Sequence, residues 1–144
     1  MAAEATGDGA GHLVITVAAV VFRDGAGRLL SVRKRGTSRF MLPGGKLEPG
    51  EAPVDTAVRE IAEELGLRLY ADRLVVLGEF ESDAANEPGH LLRSTVFTWP
   101  DVIAHDAPQV AAEIEELRWA TLEELESDPR TAPMTALNVI PLLR

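Results

Sequence analysis

The stretch from Pro53 to Leu65 constrains this chain more than any other, because its spacing suits one conformation and gives that conformation two faces with opposite needs. Val54, Val58, Ile61 and Leu65 fall at intervals of four, three and four, which places them in one apolar stripe along a helix. Proline is favoured in the first turn, where its missing N–H costs nothing, and Asp55 suits the positive end of the helix dipole. Gly66 stands where a left-handed C-terminal cap is wanted, and Leu67 can fold back on the last turn. The other face carries Glu60, Glu63 and Glu64, also at intervals of three and four. Like charges so placed repel by a few tenths of a kcal/mol per pair, roughly. Taken alone they read most simply as a solvated acidic face. A hard divalent cation would remove the repulsion, since magnesium takes oxygen ligands and usually one or two carboxylates plus substrate phosphate.

The rest of the chain reads as strands around this helix. Leu13 to Phe22 is a buried strand, Asp24-Gly25 opens a turn, and Arg28 to Arg33 returns as the second arm of a hairpin. Met41-Leu42 is a short apolar stretch that Pro43-Gly44-Gly45 should end in a turn, with Pro49-Gly50 a second turn. Leu74 to Glu81 and Leu91 to Trp99 are expected as strands joined by a polar loop, Ser82 to His90. Glu116 to Ala120 is a further strand. Thr121 and Glu124 have the spacing of a capping box for a brief helix, and a final helix is expected over Met134 to Leu143. The sum is a mixed α/β domain over residues 12–144, preceded by a small, Gly- and Ala-rich, acidic tail at 1–11 that is expected to be flexible.

Composition narrows the partners. With 144 residues, of which 46% are hydrophobic and 26% charged, the chain has the make-up of an ordinary globular domain. No apolar run approaches the roughly 20 residues that cross a bilayer, so no membrane span is expected. The absence of cysteine excludes disulfides, thiolate metal sites and cysteine nucleophiles, and fits a cytoplasmic protein. A formal net charge of −9 repels polyanions and argues against nucleic acid as a partner. A phosphorylated small molecule remains compatible where divalent cations bridge the two.

The decisive pattern is wider than the helix. From Gly45 to Leu67 the sequence runs GKLEPGEAPVDTAVREIAEELGL. It is similar at every specified position to the Nudix box: Gly45, Glu51, Arg59, Glu60, Ile61, Glu63, Glu64, Gly66 and Leu67. From average residue usage such a match arises by chance about once in a billion starts. Pro43-Gly44-Gly45 resembles the family's usual approach to the box, Phe40 stands where an aromatic is often found, and Glu113 to Trp119 resembles a late acidic segment ending in Trp. The resemblance implies an α/β/α sandwich with a mixed central sheet. It also implies a magnesium-dependent pyrophosphohydrolase, with manganese an acceptable substitute, that cleaves a nucleoside diphosphate joined to another group. A homodimer is common among members.

The resemblance also implies roles. Glu60, Glu63 and Glu64 would bind metal, Glu64 most directly, while Glu60, or failing it Glu63, would be the general base. Arg59 would grip Glu51 through two parallel bonds and so fix the loop to the helix. Gly44 and Gly45 let backbone approach phosphate closely, although a plain turn would equally use them. Within the basic run Arg33-Lys34-Arg35, Arg33 and Arg35 are candidates for phosphate, a solvated edge being nearly as good a reading. Phe40 would stack on a base or else sit in the core. Glu113, Glu115 or Glu116 could supply a late carboxylate, Glu113 and Glu116 foremost. His90 and His105 are expected at the surface, with no triad or zinc arrangement.

Substrate is less legible. Members that act on ADP-ribose or dinucleoside polyphosphates often carry a marker Pro or Tyr some sixteen or seventeen residues after the box, where Ser82 and Asp83 stand here. That, together with the short N-terminal region, points to a compact MutT-like enzyme for nucleoside triphosphates, oxidised dNTPs included. ADP-ribose, nucleotide-sugar or dinucleoside polyphosphate hydrolysis is the alternative, as is a nucleotide-binding regulatory module that has no turnover.

Overall fold

The structure is a computed structural model that describes the backbone of residues 6–7 and, with side chains, residues 13–84 and 87–144. Its centre is the strand β2 (Leu13–Val21), whose alternate residues enter two different cores. Ala18 and Val20 face one, Ala19 and Val21 the other, which is why the sequence is apolar without alternation. Both edges of β2 are occupied. Along one, β6 (His90–Thr98) runs parallel over the full length, from Leu13↔His90 to Val21↔Thr98. Along the other lie β1 (Thr6–Gly7) and β4 (Gly44–Lys46), both antiparallel. Strand β5 (Val75–Asp83) closes the mixed sheet by pairing antiparallel with β6.

This saturation of β2 corrects the expected hairpin. Asp24 does build the turn, its Oδ1 accepting from the backbone N–H of Ala26 (3.0 Å) and Arg28 (2.9 Å). The ladder then continues through the Asp24 N–H to Arg28 O bond, the Arg23↔Leu29 bridge and the bond from Leu30 N–H to Phe22 O. Strand β3 (Leu29–Lys34) leaves and pairs instead with β7 (Ile114–Ala120) in a separate two-stranded sheet, because neither edge of β2 is free. The expected turn at Pro43-Gly44-Gly45 is likewise corrected. Gly44 and Gly45 begin β4, opposite Ala19 and Ala18. Gly44 has φ 153°, and a Cβ there would overlap the Ala18 carbonyl oxygen, so only glycine lets the two backbones come this close.

The helix α1 (Pro53–Leu65) has the expected ends, with Pro53 in the first turn and Gly66 left-handed at φ 67°. Its buried face is rotated from the expected stripe. Ala57, Ile61 and Leu65 are fully buried beside Ala18, Val20, Phe22 and Phe97, while Val54 and Val58 are only half-buried. Glu64 lies on the buried side too. Leu67 packs back on the same cluster. On the opposite face of the sheet, α2 (Leu122–Ser127) carries the Thr121–Glu124 capping box and contributes Leu125 to the second core. The closing helix is present but irregular: Thr135–Val139 forms a wide π turn before α3 (Ile140–Leu143). The Ile140 N–H reaches back five residues to Thr135 O, and Pro141, next in line, has no N–H to give. The result is the α/β/α arrangement with a mixed sheet. The expected 1–11 tail lies outside the described residues except for the Thr6–Gly7 pairing.

The strands β5 and β6 run further than expected, taking in Ser82, Asp83 and His90. No helix among the described residues is long and apolar enough to cross a membrane. The close packing of β4 on β2 gives a direct test. Gly44→Ala should cost about 3 kcal/mol or more of unfolding free energy, measured by urea denaturation, since the new Cβ must push apart two hydrogen-bonded backbones.

Candidate active site

Three elements meet where α1 passes β4: the helix face with Glu60 and Glu64, the backbone of Gly44–Lys46, and the end of β3 at Lys34. The organiser is Arg59. Its Nε donates to Glu51 Oε2 (2.9 Å) and its Nη2 to Glu51 Oε1 (2.8 Å), the forked pairing expected from the sequence. Nη2 also donates to Lys46 O (3.2 Å), and Nη1 donates to Glu60 Oε1 (2.8 Å) and lies 3.5 Å from Glu63 Oε2. One guanidinium thus ties the loop before the helix, the β4 backbone and the helix carboxylates together. Glu51 Oε1 accepts further bonds from Thr56 Oγ1 (2.6 Å) and the Glu48 N–H (3.1 Å). Above all the Arg59 bonds, and then that of Thr56, lower the Glu51 pKa to about 2.

Glu64 is the anomaly of the site. It is 1% exposed, Oε1 accepts from the Gly44 N–H (3.3 Å), and Oε2 has no hydrogen-bond partner. Lys34 Nζ lies 4.0 Å from Oε2. Burial, only partly countered by Lys34, raises the Glu64 pKa to about 7. Burial likewise raises that of Glu60, against the pull of Arg59. Glu60 rests against Gly45, where any Cβ would overlap its carboxyl group. Glu63 is the exposed member, its side chain 55% accessible. A buried carboxylate oxygen without a donor is costly unless a cation or proton meets it. That oxygen, with two further carboxylates on the same helix, is the oxygen-rich donor set a hard divalent ion takes. As the side chains stand, no three His, Asp or Glu among the described residues converge tightly enough to hold a metal, and Glu60 and Glu63 both lie against Arg59.

The candidates outside the helix divide. The basic residue that reaches the site is Lys34, not Arg33 or Arg35. Arg33 pairs with Glu116 (3.2 Å) and donates to Thr37 O (2.9 Å), and Arg35 pairs with Glu115 (3.1 Å). Alternation along β3 could have shown this, since Lys34 shares a face with Leu30 and Val32, which point into the α1 core. Of the late carboxylates, Glu113 comes near, 3.5 Å from Lys34 Nζ, whereas Glu116 is held away by Arg33. A bulge in the β3–β7 pairing between Arg33 and Lys34 separates the two. Phe40 takes the core role. It is 1% exposed, with the guanidinium groups of Arg118 and Arg130 over its ring at 5.6 and 5.2 Å, and offers no face to a base. His90 is half-buried in β6, and His105 is exposed and stacked on Trp119. A cavity of about 220 Å³ opens beside the site on the sheet face away from α1, lined by Ile15, Val17, Leu92, Ser94, Met41 and Met134 among others. It reaches Gly44, Gly45, Lys34 and Lys46.

Glu51 and Glu64 should leave opposite signatures on stability. Glu64 binds its proton more tightly when folded, so its contribution falls as pH rises from about 4.5 through about 7, by up to roughly 3 kcal/mol. Glu51 does the reverse, stabilising above about 4.5 and losing that as pH falls toward about 2. In metal-free protein, urea melts between pH 5 and 8 should show a decline that Glu64→Gln abolishes; equal slopes in both proteins would contradict the buried-carboxylate account.

Comparison with known proteins fits this geometry. The NUDIX domain model matches residues 12–143. An uncharacterized Nudix hydrolase, orf19, of Rhodococcus erythropolis is 33% identical over 122 residues, covering 75% of this chain and 63% of its own. A MutT-like protein of Streptomyces ambofaciens is 43% identical over 60 residues, 42% of this chain and 38% of its own. The chain therefore spans less than two thirds of either relative. Among solved structures, the MutT protein of Methanosarcina mazei Go1 superposes with a TM-score of 0.71 over 90% of each chain at 20% identity, which speaks for the fold. With the box residues assembled around Arg59 and the family model spanning nearly the whole sequence, the chain belongs to the Nudix family.

Proposed function

We propose that the chain is a magnesium-dependent pyrophosphohydrolase, with manganese able to substitute, acting on a nucleoside diphosphate joined to another group. The buried Glu64 Oε2 carries this reading, because no hydrogen bond satisfies it and Lys34 Nζ approaches it only to 4.0 Å. Glu64, Glu60 and Glu63 would hold the metal, which when bound neutralises charge on the diphosphate during in-line attack. Glu60, or else Glu63, accepts the proton of the attacking water as its oxygen bonds to phosphorus and the bridging P–O bond breaks. The raised Glu60 pKa supports this assignment. Lys34 replaces Arg33 and Arg35 as the side chain that meets a phosphoryl oxygen, and the backbone at Gly44 and Gly45 lies close enough to flank it. Glu113, through Lys34, is the better placed late carboxylate.

The cavity favours a nucleoside triphosphate, oxidised dNTPs included. Its apolar walls suit a neutral ring, and Lys34 and Lys46 in its lining supply positive charge for phosphate. A nucleotide-binding module without turnover is the second reading, favoured by the hold of Arg59 on Glu60. Incubation with magnesium and a panel of nucleoside triphosphates, oxidised dNTPs, nucleotide sugars, ADP-ribose and dinucleoside polyphosphates separates the two. Turnover is expected, best on triphosphates, and lost with EDTA or in Glu63→Gln and Glu64→Gln by a hundredfold or more, on the order of a lost metal or general base. Tight nucleotide binding without release of product would establish the module instead.

A further inference from the structure

The floor of the cavity is a patch of four side chains on one face of two paired strands. Ile15 stands beside Leu92 and Val17 beside Ser94, in the parallel register of β2 and β6. Three are aliphatic and the fourth is a serine. Ser94 is 1% exposed and its Oγ has no hydrogen-bond partner. Alanine there would keep the apolar pattern and leave nothing unsatisfied. No charged side chain lies in this floor; the charged residues among the lining, Lys34, Lys46 and Glu87, belong to other elements, and Lys46 and Glu87 pair with each other at 3.6 Å. Among the described residues lining the cavity there is no Phe, Tyr, Trp or His, so flat groups entering it meet aliphatic and methionine side chains there instead of a stacking ring.

We propose that Ser94 Oγ is a binding contact for the neutral, ring-bearing end of the substrate. It supplies the one hydrogen bond that the cavity floor offers to a heteroatom on the edge of a base. This rests on the reading of the cavity as the seat of a nucleotide. A hydroxyl both donates and accepts, so it can meet a carbonyl, an amino group or a ring nitrogen by rotating. With one such contact among its four side chains, the floor selects for a group that can hydrogen-bond at all more than for one base over another; Thr37, Thr135, Lys34, Lys46 and Glu87 lie elsewhere in the lining. Discrimination among the common bases by this one contact is therefore weak, because strong rejection requires several buried polar groups left unpaired by the wrong substrate.

The test uses Ser94→Ala against Ser31→Ala. Ser31 is the matched control: it is also 1% exposed with an unpartnered Oγ, but it lies in β3 opposite Arg118 and does not line the cavity. KM, kcat and melting temperature are measured for both variants and the native chain with magnesium and ATP, GTP, CTP and UTP, and binding is followed by calorimetry. Both variants should melt at or above the native temperature, since each removes an unsatisfied buried hydroxyl. Only Ser94→Ala should raise KM, by about three- to tenfold, the worth of one neutral hydrogen bond, with kcat changed less than twofold. The rise in KM on Ser94→Ala should be similar for the four nucleotides, since a rotating hydroxyl serves each of them. A native enzyme that turns nucleotides over while Ser94→Ala matches Ser31→Ala in KM would overturn the role of Ser94 and leave the hydrolase reading intact. Neither turnover nor binding of any nucleotide by the native chain would overturn both.

Discussion

Everything in this site hangs from the forked pairing of Arg59 with Glu51. The guanidinium lies between a loop that has no regular structure to hold it, a three-residue strand and a helix face crowded with like charges. Two parallel bonds to Glu51 fix its plane, and the remaining N–H groups then have set directions, toward Lys46 O and Glu60. A lysine would keep the charge and lose that geometry, since a point charge on a flexible stem cannot address three elements at once. With Glu51 held ionised well below the usual carboxylate range, the brace persists across the whole physiological pH span.

The brace matters because of what it holds in place. Glu64 is kept under the β4 backbone, in surroundings that penalise its charge, by a helix whose other contacts are ordinary core packing of Ala57, Ile61 and Leu65. The two glycines of β4 make room for this arrangement from opposite sides. Gly44 allows contact with β2, and Gly45 allows the Glu60 carboxyl group to lie against the strand. Protein stability and cation chemistry thus pull on the same residues. A site that leaves an oxygen of a buried carboxylate unsatisfied stores free energy that a bound cation can release.

How much of this could be read from the sequence depended on whether the signal was local. The helix α1, its proline start and its glycine stop follow from neighbours a few residues away, as do the Thr121 cap and the Glu51–Arg59 pair once the box is recognised. What failed depended on pairing between distant segments. An apparent hairpin split because both edges of β2 were claimed by β1, β4 and β6, and no local pattern records that competition. Gly44-Gly45 looked like a turn because glycine signals both turns and close backbone approach. The choice of Lys34 over its arginine neighbours was legible in principle from period-two alternation. The burial of Glu64 was not, since a helical wheel shows which residues share a face without showing how far a neighbouring loop will cover it. Here the backbone of Gln109 and Ala111 donates to Leu65 O and Glu64 O and closes over that end of α1. Ser94 carried no sequence signal at all, because a serine in a strand is unremarkable until its partners are known.

We propose Glu64, whose Oε1 accepts from the Gly44 N–H beneath β4, as the principal cation ligand of this Nudix site. Manganese binding followed by electron paramagnetic resonance tests it without reference to any substrate. The native chain should bind the ion, and Glu64→Gln should weaken binding by at least tenfold, the scale on which first-row ions respond to loss of a coordinating carboxylate or its support. Glu63→Gln, at an exposed side chain, should weaken it less. Unchanged manganese affinity in Glu64→Gln, from protein that melts like the native chain, would remove Glu64 from the cation site.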